Sequence, residues 1–311
     1  MVALQRAGIP VERYVAYEID KYAISISKKN YPEIEHCGDV FDGDFTQYKD
    51  FDLLLGGSPC QNWSCAKAEK REITPDGVGG RLFMQYVKAL KESECRYFLY
   101  ENVYSMHKEI KNFITEQLGV EPIMINSALV SGQQRKRLYW TNIPNVTQPE
   151  DKGILLKDII EDGLVWTGKS YCIDACYHKG ASLENNLKKH KRTLVAQPIQ
   201  IGLVGEKDHL GSRVYSVEGK SVSIKANGGG MGANTGLYRI DLPDGDYICR
   251  KLSPIEVERC QTLPDNYTKE GKIGDTITQI SATQRYKCVG NGWTINVIAH
   301  ILKGLKEVKN E

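Results

Sequence analysis

Phe51-Asp-Leu-Leu-Leu-Gly-Gly-Ser-Pro-Cys60 is a short apolar run followed by two glycines, a serine, a proline and a cysteine. An apolar run of this length bounded by turn residues predicts a buried strand. The turn places Cys60 beyond the carboxyl end of that strand, at the edge where open α/β sheets bind ligands. Free cysteines are usually small buried hydrophobes. A catalytic interpretation of Cys60 therefore depends on the rest of the chain.

The first half of the chain alternates strand-like and helix-like patterns. This alternation predicts an α/β fold with a doubly wound, mostly parallel sheet. The predicted helices cover residues 1–7 (ending at Gly8), 21–30, 81–91 and 110–118, and the predicted strands cover residues 13–17, 33–37, 51–55, 96–100 and 137–141, the last as an exposed aromatic strand.

Four of the predicted strands are followed by a reactive or strongly polar side chain. These side chains belong to Glu18, Asp39, Cys60 and Glu101. Each carboxylate alone is typical of a solvated loop. Because the carboxyl ends of parallel strands meet at one edge of a sheet, the four together predict a functional site there.

The bulk composition narrows the class of protein. The chain has 311 residues, of which 41% are hydrophobic and 26% charged, and this is ordinary for a soluble globular protein. We expect no membrane span, because no run of about 18 apolar residues occurs. We also expect no export signal, and nine cysteines without a small-domain spacing predict reduced thiols in the cytoplasm. A net charge of +2 permits nucleic-acid binding without indicating it.

The pattern changes between residues 148 and 249, where glycines multiply and strand-like pieces appear at 197–204 and 221–226. We predict a catalytic part at 1–147, a loop-rich domain at 148–249 and a return to the catalytic part at 250–311, with helices at 254–262 and 294–306. Within the middle domain, the basic cluster 188–192 and the Gly-rich loop 227–236 suit phosphate contact. A solvated charged surface is the alternative interpretation of the basic cluster.

Eight short sequence blocks occur in one order over nearly the full length. They are Tyr17-Glu18, Gly38-Asp39-Val40, Gly57-Ser-Pro-Cys60-Gln-Asn-Trp-Ser64, Gly80-Arg-Leu-Phe83, Glu101-Asn-Val103, Gln133-Gln-Arg135-Lys-Arg137-Leu-Tyr139, Arg250-Lys-Leu-Ser-Pro-Ile-Glu256-Val-Glu-Arg259-Cys-Gln261 and Val289-Gly-Asn291-Gly-Trp-Thr-Ile-Asn296-Val297. In these blocks the chain resembles the DNA (cytosine-5)-methyltransferase family of the bacterial or phage restriction-modification type.

The resemblance implies methyl transfer from S-adenosylmethionine to C5 of a cytosine flipped out of duplex DNA. Cys60 matches the nucleophile that adds to C6 of the ring, and Glu101 matches the acid near N3. Arg135 and Arg137 match the arginines that hold the cytosine carbonyl and adjacent groups. The reaction implied in this way needs no metal.

The resemblance also implies binding residues. Those for S-adenosylmethionine are Glu18 (ribose hydroxyls), Asp39 (adenine amino group), Pro59 and Asn291. Those for DNA are Gln61, Ser64, Gln133, Lys188, Lys189, Gly229 and Gly230, with residues 148–249 as the target-recognition domain. We expect a monomer that acts on double-stranded DNA, not on a membrane, in the cytoplasm of a bacterium or a phage-infected host. A cognate restriction endonuclease would act separately.

The chain departs from the family at its start, where the family has a strand and a Phe-x-Gly-x-Gly turn that wraps the methionine end of the cofactor. A start site placed downstream and a real truncation are the two explanations, and we favour the first. We expect the 311-residue form to bind S-adenosylmethionine poorly until about 15 upstream residues are restored. Calorimetry that shows micromolar binding would refute this.

Three other functions remain as alternatives: a tRNA cytosine-5 methyltransferase, a non-catalytic DNA-binding homologue and a nicotinamide oxidoreductase. The absence of an early Gly-x-Gly-x-x-Gly argues against the oxidoreductase. Cys172, Cys176 and His178 could ligate a metal, but their spacing fits no common zinc pattern, and we predict no metal site.

Overall fold

The computed structural model describes residues 1–59, 63–64, 71–163, 165, 167–178, 193–198, 214–216, 237–242 and 245–307. The helices are α1 (Val2–Ala7), α2 (Lys21–Asn30), α3 (Val78–Ser93), α4 (Lys108–Leu118), α5 (Pro254–Cys260), α6 (Ala282–Asn291), α7 (Ile295–Leu302) and α8 (Gly304–Glu307). The strands are β1 (Val15–Ala16), β2 (Glu35–His36), β3 (Leu53–Gly56), β4 (Tyr97–Val103), β5 (Ile123–Asn126), β6 (Lys136–Thr141), β7 (Leu194–Pro198), β8 (Val214–Ser216), β9 (Leu237–Leu242), β10 (Gly245–Lys251), β11 (Glu270–Ile273) and β12 (Thr276–Gln279).

The central sheet has four strands in the order β3-β4-β6-β5. Strands β3 and β4 are parallel, whereas β6 runs antiparallel to both β4 and β5. Strands β1 and β2 form a separate parallel pair. The predicted α/β class is confirmed, but the central sheet is mixed, because the chain returns through β5 and β6 in a hairpin-like order.

Two of the predicted helices follow directly from local capping signals. The Asp20 side chain accepts from the backbone N–H of Tyr22, 2.9 Å away, at the start of α2, and Lys28 and Lys29 occupy its last turn. Both features stabilise a helix, the first by capping and the second through the helix dipole. Helix α1 ends at Gly8, whose φ of 67° is the left-handed conformation that glycine adopts easily.

The prediction that residues 137–141 form an exposed strand was wrong about exposure. Leu138, Tyr139 and Trp140 of β6 are 4%, 1% and 0% exposed. Strand β6 lies between β4 and β5, and both of its faces pack into hydrophobic clusters. The aromatic residues of β6 therefore belong to the core.

The C-terminal part packs back onto the first half of the chain. Ala3, Leu4 and Ala7 of α1 share one buried cluster with five residues of α7, namely Val297, Ile298, Ala299, Ile301 and Leu302. The predicted helix at 294–306 is divided into α7 and α8 at Lys303. Gly304, the first residue of α8, packs closely against the backbone of Pro144. A Cβ added to Gly304 would lie 2.3 Å from the Pro144 carbonyl oxygen.

The middle of the chain contributes a second sheet of strand order β7-β10-β9-β8. Strand β7 runs antiparallel to β10, with Leu194 opposite Lys251. Leu156, Ile173 and Tyr177 share a core with residues of α5 and α6, on the other side of the predicted boundary at 249. The boundaries at 147 and 249 stay predictions. Of the predicted strand-like pieces, 197–198 lie in β7, whereas 199–204 and 221–226 lie outside the described residues.

The Glu72 carboxylate joins the start of α3 to Trp63, which follows the Cys60 turn. Glu72 accepts from the backbone N–H groups of Val78 (3.0 Å) and Gly79 (3.2 Å), and from the indole N–H of Trp63 (3.0 Å). Trp63 is fully buried. Gly80 packs directly against the backbone of Pro75. A Cβ added to Gly80 would lie 1.6 Å from the Pro75 carbonyl oxygen.

We expect Gly80→Ala to lower the free energy of unfolding by about 2 kcal/mol or more, since overpacked sites cost about 1–3 kcal/mol and backbone atoms cannot rotate away. Gly168→Ala is the matched control, because the nearest atom to its added Cβ is 3.7 Å away. Urea unfolding of both variants measures the difference. Equal stabilities of the two variants would contradict the close packing at Gly80.

Candidate active site

The Glu101 carboxylate is the centre of the candidate site. The sequence predicts that Glu101 follows the end of its strand, but Glu101 lies within β4. The reason is that the antiparallel pairing of β4 with β6 continues to Val103. Glu101 Oε1 lies 2.9 Å from the Arg137 Nε, and the two side chains are 10% and 11% exposed. Losing one partner of such a buried ion pair leaves an uncompensated charge, which costs about 3–5 kcal/mol. The sequence blocks Glu-Asn-Val and Gln-Gln-Arg-Lys-Arg therefore meet as one unit.

The turn after β3 is held to β4 by a network of neutral hydrogen bonds. The hydroxyls of Ser58 and Tyr100 are 2.6 Å apart, and Asn102 Nδ2 donates to the Ser58 carbonyl oxygen at 3.2 Å and to the Tyr100 hydroxyl at 3.2 Å. Burial raises the pKa of Tyr100 above its usual value, so its hydroxyl keeps its proton. The neighbour of Glu101 in the Glu-Asn-Val block thus fixes the turn that leads to Cys60.

Gly57 lets this turn approach the carboxylate. An added Cβ at Gly57 would lie 3.3 Å from Glu101 Oε2 and 3.3 Å from the indole nitrogen of Trp293. Trp293 Nε1 itself donates to Glu101 Oε2 at 3.0 Å. The structure therefore brings the turn before Cys60, the predicted acid and the last sequence block together.

Several predicted site residues lie outside the described residues. They are Cys60, Gln61, Lys188, Lys189, Gly229 and Gly230. Their predicted roles stay predictions. Of the other turn residues, Pro59 is exposed and Ser64 is partly buried.

Arg135 is placed differently from the expected clamp on a cytosine ring. Its Nη1 donates to the Ile173 carbonyl oxygen at 2.7 Å, and its Nη2 donates to the carbonyl oxygens of Gly290 (3.3 Å) and Gly292 (2.9 Å). Only 4% of the residue is exposed. In this structure the guanidinium holds three backbone segments together, and the arginine paired with the carboxylate is Arg137.

Gln133, predicted to contact DNA, is fully buried. Its side-chain Nε2 donates to the Cys260 carbonyl oxygen at 3.0 Å, and its Oε1 accepts from the backbone N–H of Ile173 at 2.8 Å. The nitrogen and the oxygen of the Gln133 side-chain amide both form hydrogen bonds inside the protein, with Cys260 of α5 and with Ile173. The predicted contact of Gln133 with DNA stays a prediction.

The predicted cofactor carboxylates lie after the parallel strands β1 and β2, which pair Ala16 with His36. Glu18 accepts from the backbone N–H groups of Ile19 and Asp20, each at 2.8 Å. Asp39 accepts from the backbone N–H of Phe41 at 3.0 Å. Both carboxylates are thus oriented by the turn that follows their strand, at the same edge of the β1–β2 pair.

Helix α6 docks beside this edge. Lys287 Nζ lies 2.6 Å from Asp20 Oδ2, and Asn291 at the end of α6 is exposed. Within the described residues, no group of three or more His, Cys, Asp or Glu side chains could hold a metal ion. Cys172 lies 3.5 Å from Arg135 Nη1 and 3.9 Å from Arg137 Nη2.

The sequence interpretation missed the roles of Trp293, Asn102, Tyr100 and Ser58. All four lie in or beside the quoted blocks, but their contacts join residues that are distant along the chain, such as the 192-residue separation between Glu101 and Trp293. The arrangement as a whole can exchange a proton with a heterocycle at the carboxylate. It can also stabilise negative charge on that ring through Arg137.

The chain is similar to known cytosine DNA methyltransferases over nearly all of its length. The family model for C-5 cytosine-specific DNA methylase matches residues 1–307. The chain is 28% identical to the type II methyltransferase M.HhaI of Haemophilus parahaemolyticus, covering 96% of this chain and 88% of the relative. It is 27% identical to the orphan methyltransferase M.Rho11sI of Bacillus phage rho11s, covering 87% of this chain and 66% of that relative.

Solved structures share the fold at low sequence identity. The methyltransferase EhMeth of Entamoeba histolytica superposes with a TM-score of 0.60 at 14% identity, covering all of this chain and 95% of that one. A mutant of Spodoptera frugiperda DNMT2 superposes with a TM-score of 0.59 at 16% identity, covering 98% and 95% of the two chains. None of the described helices is long and apolar enough to cross a lipid bilayer. Because the family model matches residues 1–307 of this chain, the chain belongs to the C-5 cytosine-specific DNA methylase family.

Proposed function

We propose that this enzyme transfers a methyl group from S-adenosylmethionine to C5 of a cytosine flipped out of duplex DNA. The observation that carries the proposal is the Glu101–Arg137 pair, held against the Gly57–Ser58 turn that leads to Cys60. A nucleophile that follows this turn and a carboxylate beside it are the two groups that addition to a pyrimidine requires.

In the proposed reaction the Cys60 thiolate adds to C6 of the ring, and the electron pair of the C5–C6 double bond moves toward N3 and the ring carbonyl. Glu101 supplies a proton at N3, and Arg137 stabilises the charge. C5 is then electron-rich and takes the methyl group from bound S-adenosylmethionine, whose sulfur keeps the electron pair of the broken S–C bond and leaves as S-adenosylhomocysteine. Water takes the C5 proton and N3 returns its proton to Glu101, while the electron pair of the broken C5–H bond re-forms the C5–C6 double bond and expels the Cys60 thiolate.

The residues at the β1–β2 edge suit a nucleoside. The Glu18 carboxylate can accept hydrogen bonds from ribose hydroxyls, and the Asp39 carboxylate can accept one from an adenine amino group. Ile19 and Phe41 beside them are 72% and 47% exposed, so apolar surface is available next to both carboxylates for the faces of a purine. We propose that S-adenosylmethionine binds here, with Pro59 and Asn291 at the same edge.

We further propose that residues 148–249 read the DNA sequence, with Lys188, Lys189, Gly229 and Gly230 at the DNA and with Gln61 and Ser64 near the flipped nucleotide. The enzyme acts as a cytoplasmic monomer, and any cognate restriction endonuclease is a separate protein. Size-exclusion chromatography with light scattering tests the monomer. A stable dimer would contradict it.

Methyl transfer from radiolabelled S-adenosylmethionine to duplex DNA, with tRNA in a parallel reaction, tests the substrate. We expect label in the DNA, and label only in tRNA would support the tRNA methyltransferase, which the matched family does not favour. A duplex with 5-fluorocytosine in place of cytosine should form a covalent adduct. Intact cofactor binding without an adduct would indicate a non-catalytic homologue. Bisulfite sequencing of DNA from a host that expresses the gene would then identify the recognition sequence.

A further inference from the structure

Each oxygen of the Glu101 carboxylate has its own partner, an ion pair at Oε1 and a hydrogen bond at Oε2. Oε1 is paired with the charged Arg137 Nε at 2.9 Å, and Oε2 accepts from the neutral indole N–H of Trp293 at 3.0 Å. A single contact leaves a carboxylate free to rotate about its last side-chain bond, whereas two contacts from different directions fix its plane. Trp293 is therefore the group that determines where Oε2 points.

Oε2 points toward the turn that leads to Cys60. The position of an added Cβ at Gly57 lies 3.3 Å from both Oε2 and Trp293 Nε1. The indole N–H, the carboxylate oxygen and the turn thus converge on one small region. A substrate ring that reaches this turn meets the oxygen that Trp293 orients.

Trp293 is itself held rigidly from both sides along the chain. The carbonyl oxygen of Gly292 accepts from Arg135 Nη2 at 2.9 Å and from Gln261 Nε2 at 3.2 Å. On the other side, Thr294 is 1% exposed and its hydroxyl bonds to Gln261 Oε1 at 2.7 Å and to Ser127 at 2.8 Å. Groups whose own position is fixed by surrounding hydrogen bonds are the ones that can orient a reacting group.

We propose that Trp293 is a positioning residue that holds the Glu101 carboxylate in its reactive orientation through the indole N–H. The proposal rests on the function proposed above, because it assigns Trp293 to the proton transfer at the ring. A tryptophan that only filled space would act through its ring faces, and its N–H would not matter.

The contact can be tested without any catalytic activity. The chain has four tryptophans, so protein labelled with ¹⁵N at the indoles gives four indole N–H signals, and Trp293→Phe identifies one of them by its loss. We expect Glu101→Gln to move the Trp293 signal. The Trp140 signal, whose N–H donates to Thr115 at 2.9 Å, should stay in place. An unmoved Trp293 signal in Glu101→Gln would overturn the proposal.

The catalytic consequence is tested by steady-state kinetics on duplex DNA. We expect Trp293→Phe to lower kcat about 10-fold, as for the loss of one hydrogen bond to a charged group, with KM for DNA and for S-adenosylmethionine unchanged. Trp140→Phe is the matched control, since it removes an indole hydrogen bond in the core, and its kcat per folded enzyme should match the wild type. An unchanged kcat in Trp293→Phe, or a change in KM alone, would contradict the proposal. If the wild-type protein binds S-adenosylmethionine but methylates no cytosine, the proposed function fails, and the indole signals still decide whether Trp293 holds Glu101.

Discussion

Cys60→Ser is expected to abolish methyl transfer to DNA while it leaves the fold and duplex binding largely intact. The thiolate is the reactive form of cysteine, and a serine hydroxyl gives almost no alkoxide at neutral pH. Without addition to C6 the ring carbon C5 does not become electron-rich, and every later step stops. Incorporation of radiolabelled methyl groups into duplex DNA measures the loss, and electrophoretic mobility shift measures the binding.

Cys37→Ser and Cys176→Ser are the matched controls for this substitution. Both side chains are exposed, and both variants should keep wild-type turnover and form the covalent adduct with a 5-fluorocytosine duplex. Undiminished turnover in Cys60→Ser would remove the central assumption of the mechanism. A comparable loss in either control would mean that the thiols act through stability and not through chemistry.

Glu101→Gln is expected to slow the chemical step at least about 100-fold, which is the usual contribution of a general acid. An amide cannot supply the proton at N3. It also leaves the Arg137 guanidinium without its charged partner in a site where the two side chains are about one-tenth exposed. Single-turnover methylation with saturating cofactor measures the step itself, and adduct formation with 5-fluorocytosine should slow in parallel.

Stability must be followed in the same variant, because the lost ion pair is buried. A thermal unfolding scan separates the two effects: a folded Glu101→Gln protein with a slow chemical step supports the role as acid. Glu116→Gln, on the exposed face of α4, is the matched control and should retain full activity. A wild-type rate in Glu101→Gln would mean that another group protonates the ring.

The parts of the fold that could be predicted are those with strong local signals. Helix α2 was predicted with its observed bounds, because Asp20 caps it and two lysines end it. The hairpin of β11 and β12 was missed although a signal was present. Gly274 and Asp275 form a two-residue turn between alternating strands, and Gly274 has a φ of 58°.

Other misses had no local signal to find. Helix α6 reads Ala-Thr-Gln-Arg-Tyr-Lys-Cys-Val-Gly-Asn, in which four good helix formers are interspersed with weaker ones and a glycine lies near the end. Its buried face, which includes Tyr286 and Val289, packs with α5 residues in a core that forms only in the folded chain. The burial of β6 likewise depends on neighbours on both sides, and an aromatic pattern alone does not reveal them.

In the candidate site, too, some features could be predicted from the sequence and others depend on tertiary packing. The sequence blocks predicted that Glu101 and Arg137 act together, and the structure pairs them. The blocks could not predict that Arg135 turns toward backbone carbonyls or that Gln133 is buried, because both depend on segments more than 35 residues away. Motif residues indicate which side chains a site contains, and packing decides which of them face the substrate.

The antiparallel pairing of β7 with β10 has a practical consequence for testing the proposed role of residues 148–249 in DNA recognition. Leu194 and Lys251 are direct partners, so the two ends of the segment between them lie about 5 Å apart. Such a segment can be exchanged between relatives as a cassette without stretching the remainder. The cassette should begin at Leu194 and not at residue 148, because Ile173 supplies a carbonyl oxygen to the buried Arg135 and must stay with the recipient enzyme.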